Sequence, residues 1–323
     1  MKIEEKLYDY GIVPVVKIDD STKAIPLAKA LLNGGLPCAE ITLRTVEGIA
    51  AIKNIADEMK DFCVGAGTVL TIEQASEAIN AGAQFIVTPG FNPDVIEYCI
   101  GKGIPIFPGC SSPTDMERAL SMGISTVKFF PSEPLGGVNY LKAVAGPYSS
   151  LKFMPTGGIN EKNINSYLSF DKIIACGGSW MVKDELINND KFDEITTLTK
   201  SALKTIMGFK LAHVGINTNS EEEALKAARK FSILFDLELK PGAASVFSGK
   251  YIECLCSPYL GKNGHIAFFT NNITRAMQYL ERSGFEFNME SLKYDDKGKM
   301  IAVYLKEEIA GFAIHLLQND EVS

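Results

Sequence analysis

Up to about residue 182 the chain repeats one pattern: a short apolar run, then a longer segment with apolar residues at helical spacing. The runs are GIVPVVKI (11–18), CAEITL (38–43), CVGAGTV (63–69), FIVTPG (85–90), IPIFPG (104–109), TVKFFP (126–131), KFMPTGG (152–158) and KIIACGG (172–178). Short strands joined by crossover helices run parallel, and eight such units are the number that closes a (β/α)8 barrel. The competing architecture is an open doubly wound sheet. It is disfavoured because GIVPVVKIDDST has no G-x-G-x-x-G after the first run. The predicted fold is therefore α/β, a (β/α)8 TIM barrel.

Residues 183–210 read as a loop and an amphipathic helix ending near Gly208, and then the pattern changes. KLAHVGINTNSEEEALKAARKFSILFDLEL is strand–helix–strand, followed by strands in ASVFSG and YIECLCS. NGHIAFFTNNITRAMQYLERSGFEF, MIAVYLKEE and GFAIHLLQ repeat that order, with HVGINTNS matching HIAFFTNN. The expectation is a barrel domain over 1–207 and, over 208–323, a smaller α+β domain of paired β-α-β-β-β repeats. A length of 323 residues agrees with two cores rather than one.

A net charge of −7 argues against nucleic acid as a partner. No basic helix and no apolar stretch of ~20 residues points to a membrane. Acidic residues occupy the N-terminal positions where a signal peptide would be apolar. The seven cysteines are scattered, which fits reduced thiols and a cytoplasmic location.

Chemistry in a (β/α)8 barrel sits where strands end and the following loops begin. Glu40, Thr42 and Arg44 share one face of the second strand by period-two alternation. The third strand ends at Thr68, the fourth at Thr88 and Pro89, and the fifth at Pro108. The sixth carries Lys128 with Phe130 on the same face; the seventh ends in Thr156, Gly157 and Gly158, the eighth in Gly177, Gly178 and Ser179. Charge is unexpected in parallel strands that are buried on both faces, and an unpaired ammonium there costs on the order of several kcal/mol. A Glu40–Lys128 or Glu40–Arg44 pair could be purely structural, but a carboxylate, a guanidinium and an amine together fit a site better. Burial favours the neutral amine that Schiff-base attack needs. A carboxylate beside it can move protons, and an arginine suits capture of a substrate carboxylate. Gly-rich turns after the last two strands, with Ser179, offer donors to a phosphate.

The motifs EITLRT, GAGTVL, VTPGFNP, VKFFPSE, GGVNYLKAVAGP, PTGGI and GGSWMV resemble those of the class I 2-keto-3-deoxy-6-phosphogluconate (KDPG) / 4-hydroxy-2-oxoglutarate (KHG) aldolase family over residues 5–205. The resemblance implies a metal-free and cofactor-free lyase site acting on a small 2-keto acid, in an assembly that is commonly a homotrimer. It implies Lys128 as the Schiff-base lysine and Glu40 as the general acid/base. Arg44 and Thr68 would hold the pyruvyl carboxylate, Pro89 and Phe130 would line the pocket, and Thr156, Gly157, Gly158, Gly178 and Ser179 would lie at the distal phosphate. One departure is Cys110, where Val is expected. The alternative without turnover is a sugar-acid phosphate sensor, for which an imine-forming amine has no use.

The paired repeats resemble the vicinal oxygen chelate (glyoxalase-like) superfamily. That resemblance implies metal ligands on the first and last strands of each repeat, here His213, Glu253, His265 and His315. All three histidines of the chain fall on these positions, and the set suits a divalent metal. His315 departs from the Glu usual at the fourth position. The options for this domain are a separate metal-dependent activity, binding of a ligand or metal alone, and a degenerate role in assembly or regulation.

Overall fold

The computed structural model describes residues 2–319 and divides into two compact units, Met1–Ile206 and Met207–Ser323.

In the first unit a helix absent from the sequence reading, α1 (Ile3–Tyr10), precedes the first strand. Strands and helices then alternate as β1 (Ile12–Val16), α2 (Ala24–Asn33), β2 (Cys38–Thr42), α3 (Gly48–Glu58), β3 (Cys63–Gly67), α4 (Ile72–Asn80), β4 (Ile86–Val87) and α5 (Pro93–Gly101). They continue as β5 (Ile106–Phe107), α6 (Pro113–Ser121), β6 (Thr126–Phe129), α7 (Gly137–Val144), β7 (Lys152–Pro155), α8 (Ile164–Leu168) and β8 (Cys176–Gly178). Two further helices follow, α9 (Asp184–Asn188) and α10 (Phe192–Met207). Helix starts are set locally. The side chains of Thr71, Asn92 and Ser112 accept hydrogen bonds from the first-turn N–H groups of α4, α5 and α6.

Every strand pairing in this unit is parallel, in the order β5-β4-β3-β2-β1-β8, with β6 paired to β7. Bridges Gly109–Lys128, Phe153–Ile173 and Thr156–Gly177 join β6 to the end of β5 and β7 to the β8 region. The arrangement is a TIM-barrel-like ring in chain order. Strands β2 and β3 are buried throughout, which explains why β3 is apolar along its length and why Glu40 stands out in β2. β4 and β5 are shorter than their apolar runs because Pro89, Pro105 and Pro108 cannot donate to a ladder.

The second unit contains β9 (Lys210–Asn217), α11 (Glu221–Phe235), β10 (Leu239–Pro241), β11 (Ser245–Ser248) and β12 (Ile252–Leu255). The same order returns as β13 (Gly264–Thr270), α12 (Ile273–Arg282), β14 (Phe287–Tyr294), β15 (Met300–Ile309) and β16 (Phe312–Gln318). All eight strands form one sheet in the order β10-β11-β12-β9-β13-β16-β15-β14. The two repeats thus meet through their first strands, β9 and β13, which run antiparallel. Ala224 and Ala228 of α11 pack on Val246 and Cys254. Strand alternation therefore turns Phe247 and Glu253, which are paired across β11 and β12, to the opposite face. No described helix is long and apolar enough to cross a membrane.

Candidate active site

Lys128 Nζ lies 3.3 Å from Glu40 Oε1, with both residues buried. β2 pairs with β1 and β3, whereas β6 pairs with β7 and bridges to Gly109. The two side chains therefore meet across the ring rather than along a shared ladder. The second carboxylate oxygen of Glu40, Oε2, is buried without a hydrogen-bond partner. Such an acceptor is costly unless something uses it.

Room for the Glu40 carboxylate depends on Gly67. A Cβ at this residue would overlap Glu40 Oε1, Cδ and Cγ. Gly67 is not among the site residues expected from the sequence; its signal is the G-A-G-T at the end of β3. The next residue, Thr68, is half-buried and has φ +57°. A β-branched residue in the left-handed region is strained, by about 1–3 kcal/mol, and such strain collects at functional sites.

Arg44 lies beyond the end of β2 rather than in it, and is exposed. Its Nε donates to Thr42 Oγ at 3.1 Å, and that hydroxyl donates to Val16 O at 2.8 Å, so the guanidinium folds back to the strand end. Phe130 follows β6 and is 38% exposed; its ring centroid is 5.5 Å from Lys128 Nζ. Pro89 is half-buried, and its carbonyl packs so closely on Gly109 that a Cβ there would overlap it. Cys110 is fully buried, and its N–H donates to Lys128 O. Burial, then Asp115, pushes its thiol up to about 12, so it stays protonated beside the site.

Thr156 is buried, and its hydroxyl has no partner. Gly157 and Gly158 have φ +103° and +83°, conformations that side chains resist. Gly178 packs under the Trp180 ring, and Ser179 is exposed in the turn after β8. A group absent from the sequence reading backs this loop. Tyr167 donates to Glu133, and its oxygen lies 3.0 Å from Ser132 Oγ.

In the second unit the four predicted ligands share one face and converge. Nε2 of His213 and Nε2 of His265 lie 3.2 and 3.1 Å from Glu253 Oε2, and 3.0 Å from each other. Candidate ligand atoms of His213, His265 and His315 all fall within 4.8 Å of one another. Nδ1 and Nε2 of His315 are both buried and unpartnered. Burial raises the Glu253 carboxyl, but hydrogen bonds from His213, His265 and Ser245 outweigh it and hold the group well below the usual carboxylate range. Burial, then the neighbouring His265 and His213, takes His315 down to about 3, so it is a neutral imidazole. The Tyr304 ring, not anticipated from the sequence, stacks on His315 with centroids 4.3 Å apart and planes 5° apart.

Known proteins resemble the first unit closely. The family described as "Aldolase: KDPG and KHG aldolase" matches residues 3–198. The 2-dehydro-3-deoxy-phosphogluconate aldolase of Treponema pallidum is 48% identical over 204 residues, covering 63% of this chain and 97% of that protein. The KHG/KDPG aldolase of Escherichia coli K12 is 39% identical over 193 residues, covering 60% and 91% respectively. Among solved structures, a Legionella pneumophila KDPG aldolase holding pyruvate as a covalent carbinolamine aligns with TM-score 0.60 and 36% identity. It covers 62% of this chain and 97% of that one. With the family matched over more than half its length, on a TIM-barrel-like ring, this chain belongs to the KDPG and KHG aldolase family.

Proposed function

We propose that the chain is a Schiff-base aldolase that cleaves 2-keto-3-deoxy-6-phosphogluconate to pyruvate and glyceraldehyde 3-phosphate, and 4-hydroxy-2-oxoglutarate to pyruvate and glyoxylate. The observation that carries this reading is the buried Lys128–Glu40 pair at 3.3 Å across the ring. Lys128 attacks the C2 ketone, and Glu40 moves protons as the carbinolamine loses water to give an iminium. The iminium accepts the electron pair of the breaking C3–C4 bond while Glu40 takes the C4 hydroxyl proton. The aldehyde leaves, the enamine is protonated at C3, and hydrolysis frees pyruvate and the lysine. Arg44 and Thr68 hold the substrate carboxylate, and Pro89 and Phe130 line the pocket. Thr156, Gly157, Gly158, Gly178 and Ser179 receive the distal phosphate. These roles need neither metal nor organic cofactor. A small 2-keto acid is the substrate, the family resemblance implies a homotrimer, and the scattered cysteines fit a cytoplasmic setting.

Cleavage assays with the two aldols test the substrate assignment. Faster turnover of the phosphorylated one supports the phosphate site, and equal rates contradict it.

For the second unit we propose a glyoxalase-like domain that holds a divalent metal through His213, Glu253, His265 and His315. Support comes from the unpartnered His315 nitrogens and the three-imidazole, one-carboxylate convergence, a donor set that suits such ions. A bound ion would supply Lewis acidity there. Metal analysis of purified protein, with and without His213→Ala and His265→Ala, tests it; metal-free protein after incubation with zinc or manganese contradicts it.

A further inference from the structure

The loop proposed to receive phosphate does not stand alone. Ser132 N–H donates to Thr156 O at 2.8 Å, and Glu133 N–H donates to Gly157 O at 3.0 Å. The β6 loop is thus stitched to the β7 loop by main-chain bonds. Beneath this seam the Glu133 side chain fills the space at Gly158, where a Cβ would lie 2.6 Å from Glu133 Cβ and Cγ. The Glu133 carboxylate accepts a hydrogen bond from the Tyr167 hydroxyl. Because the phenolic proton is committed there, Ser132 Oγ, 3.0 Å away, donates to the phenol oxygen. Tyr167 is 1% exposed and Ser132 fully buried. Burial, then the Glu133 carboxylate, pushes the phenol well above its usual range, so it remains a donor. From the other side Nδ2 of Asn160 and Nδ2 of Asn163 donate to Gly158 O at 3.2 and 3.1 Å.

None of these side chains belongs to the Lys128–Glu40 chemistry. A polar chain that runs from the buried Ser132 and Tyr167 out to the exposed Glu133 adds little stability, but when satisfied it fixes position. The position fixed here is that of Gly157 and Gly158, whose left-handed backbones present the loop.

We infer that Tyr167 and Glu133 form a latch that sets substrate specificity, positioning the Gly157–Gly158 backbone for the phosphate of the aldol without touching the reacting atoms. This rests on the phosphate reading proposed above. Losing the latch should therefore weaken recognition of phosphate and leave the imine chemistry alone.

The test compares wild type, Tyr167→Phe, Glu133→Ala and Glu133→Gln on both aldols, with inorganic phosphate as a competitive inhibitor. Tyr167→Phe and Glu133→Ala are expected to raise KM for the phosphorylated aldol and the Ki of phosphate about tenfold. Turnover of 4-hydroxy-2-oxoglutarate and borohydride trapping of pyruvate should stay at wild-type levels. Glu133→Gln keeps an accepting oxygen and should keep the preference. Parallel losses on both aldols, or an unchanged preference in Tyr167→Phe, would overturn the latch. Should Tyr167→Phe fail to fold, the Glu133→Ala and Glu133→Gln pair decides, and equal behaviour of those two overturns it. A wild type without preference overturns the phosphate reading and the latch with it, a result separable from any variant's.

Discussion

Glu40 occupies its place only because residue 67 has no side chain, and that gives the proposed proton-transfer group a sensitive neighbour. Gly67→Ala is expected to displace the carboxylate and lower kcat about 100-fold, the scale on which misplaced general acid/base groups act. Far-ultraviolet circular dichroism should still show a folded chain. Wild-type kcat in Gly67→Ala would mean that Glu40 does not need its present position. The thiols supply a second residue-scale test. Burial holds Cys63 and Cys99 at about 11 and Cys110 at about 12. Iodoacetamide at pH 8 should therefore leave all three unmodified in the native protein, as read by peptide mass spectrometry, and label them after denaturation. Lys128 and Glu40 are legible in the sequence because charge interrupts apolar runs. Gly67 and the Thr68 backbone are not, because their importance lies in what a neighbouring strand places beside them.

At the scale of elements, the metal ligands proposed for the second unit depend on the row that β12, β9 and β13 form. Glu253 stands opposite Gly215, and Gly215 opposite His265. A Cβ at Gly215 would overlap the His265 ring. Gly215→Ala is therefore expected to abolish metal uptake in a zinc titration while leaving aldol cleavage intact. Retained stoichiometric binding would exclude the four-residue site. The two β-α-β-β-β repeats are visible in the sequence because helix and strand periods alternate in the same order twice. That β9 and β13 meet at the centre of one sheet is not, since strand order depends on pairings between distant segments. The same holds for Tyr167, which reads as an ordinary apolar position of a short helix. Helix α1 is missed for a different reason: with eight residues it carries too few periods to stand out.

For the whole molecule, the division after Ile206 places Lys128 and the proposed metal ligands in separate compact units. Ligand binding stabilises the folded form that binds it, by RT ln(1 + [L]/Kd). In calorimetry of the full chain, zinc at about 100 Kd is expected to add ~2.7 kcal/mol to the unit carrying His213. A chelator should reverse that shift and leave pyruvate trapping unaffected. A chelator that halts trapping would couple the two chemistries and contradict their separation. The central claim is that Lys128 forms an imine. It is tested most directly by borohydride reduction of the full chain with pyruvate, followed by peptide mass spectrometry. The expected result is one reduced pyruvyl adduct, on Lys128, absent in Lys128→Ala; an adduct on another lysine, or none, would contradict the account.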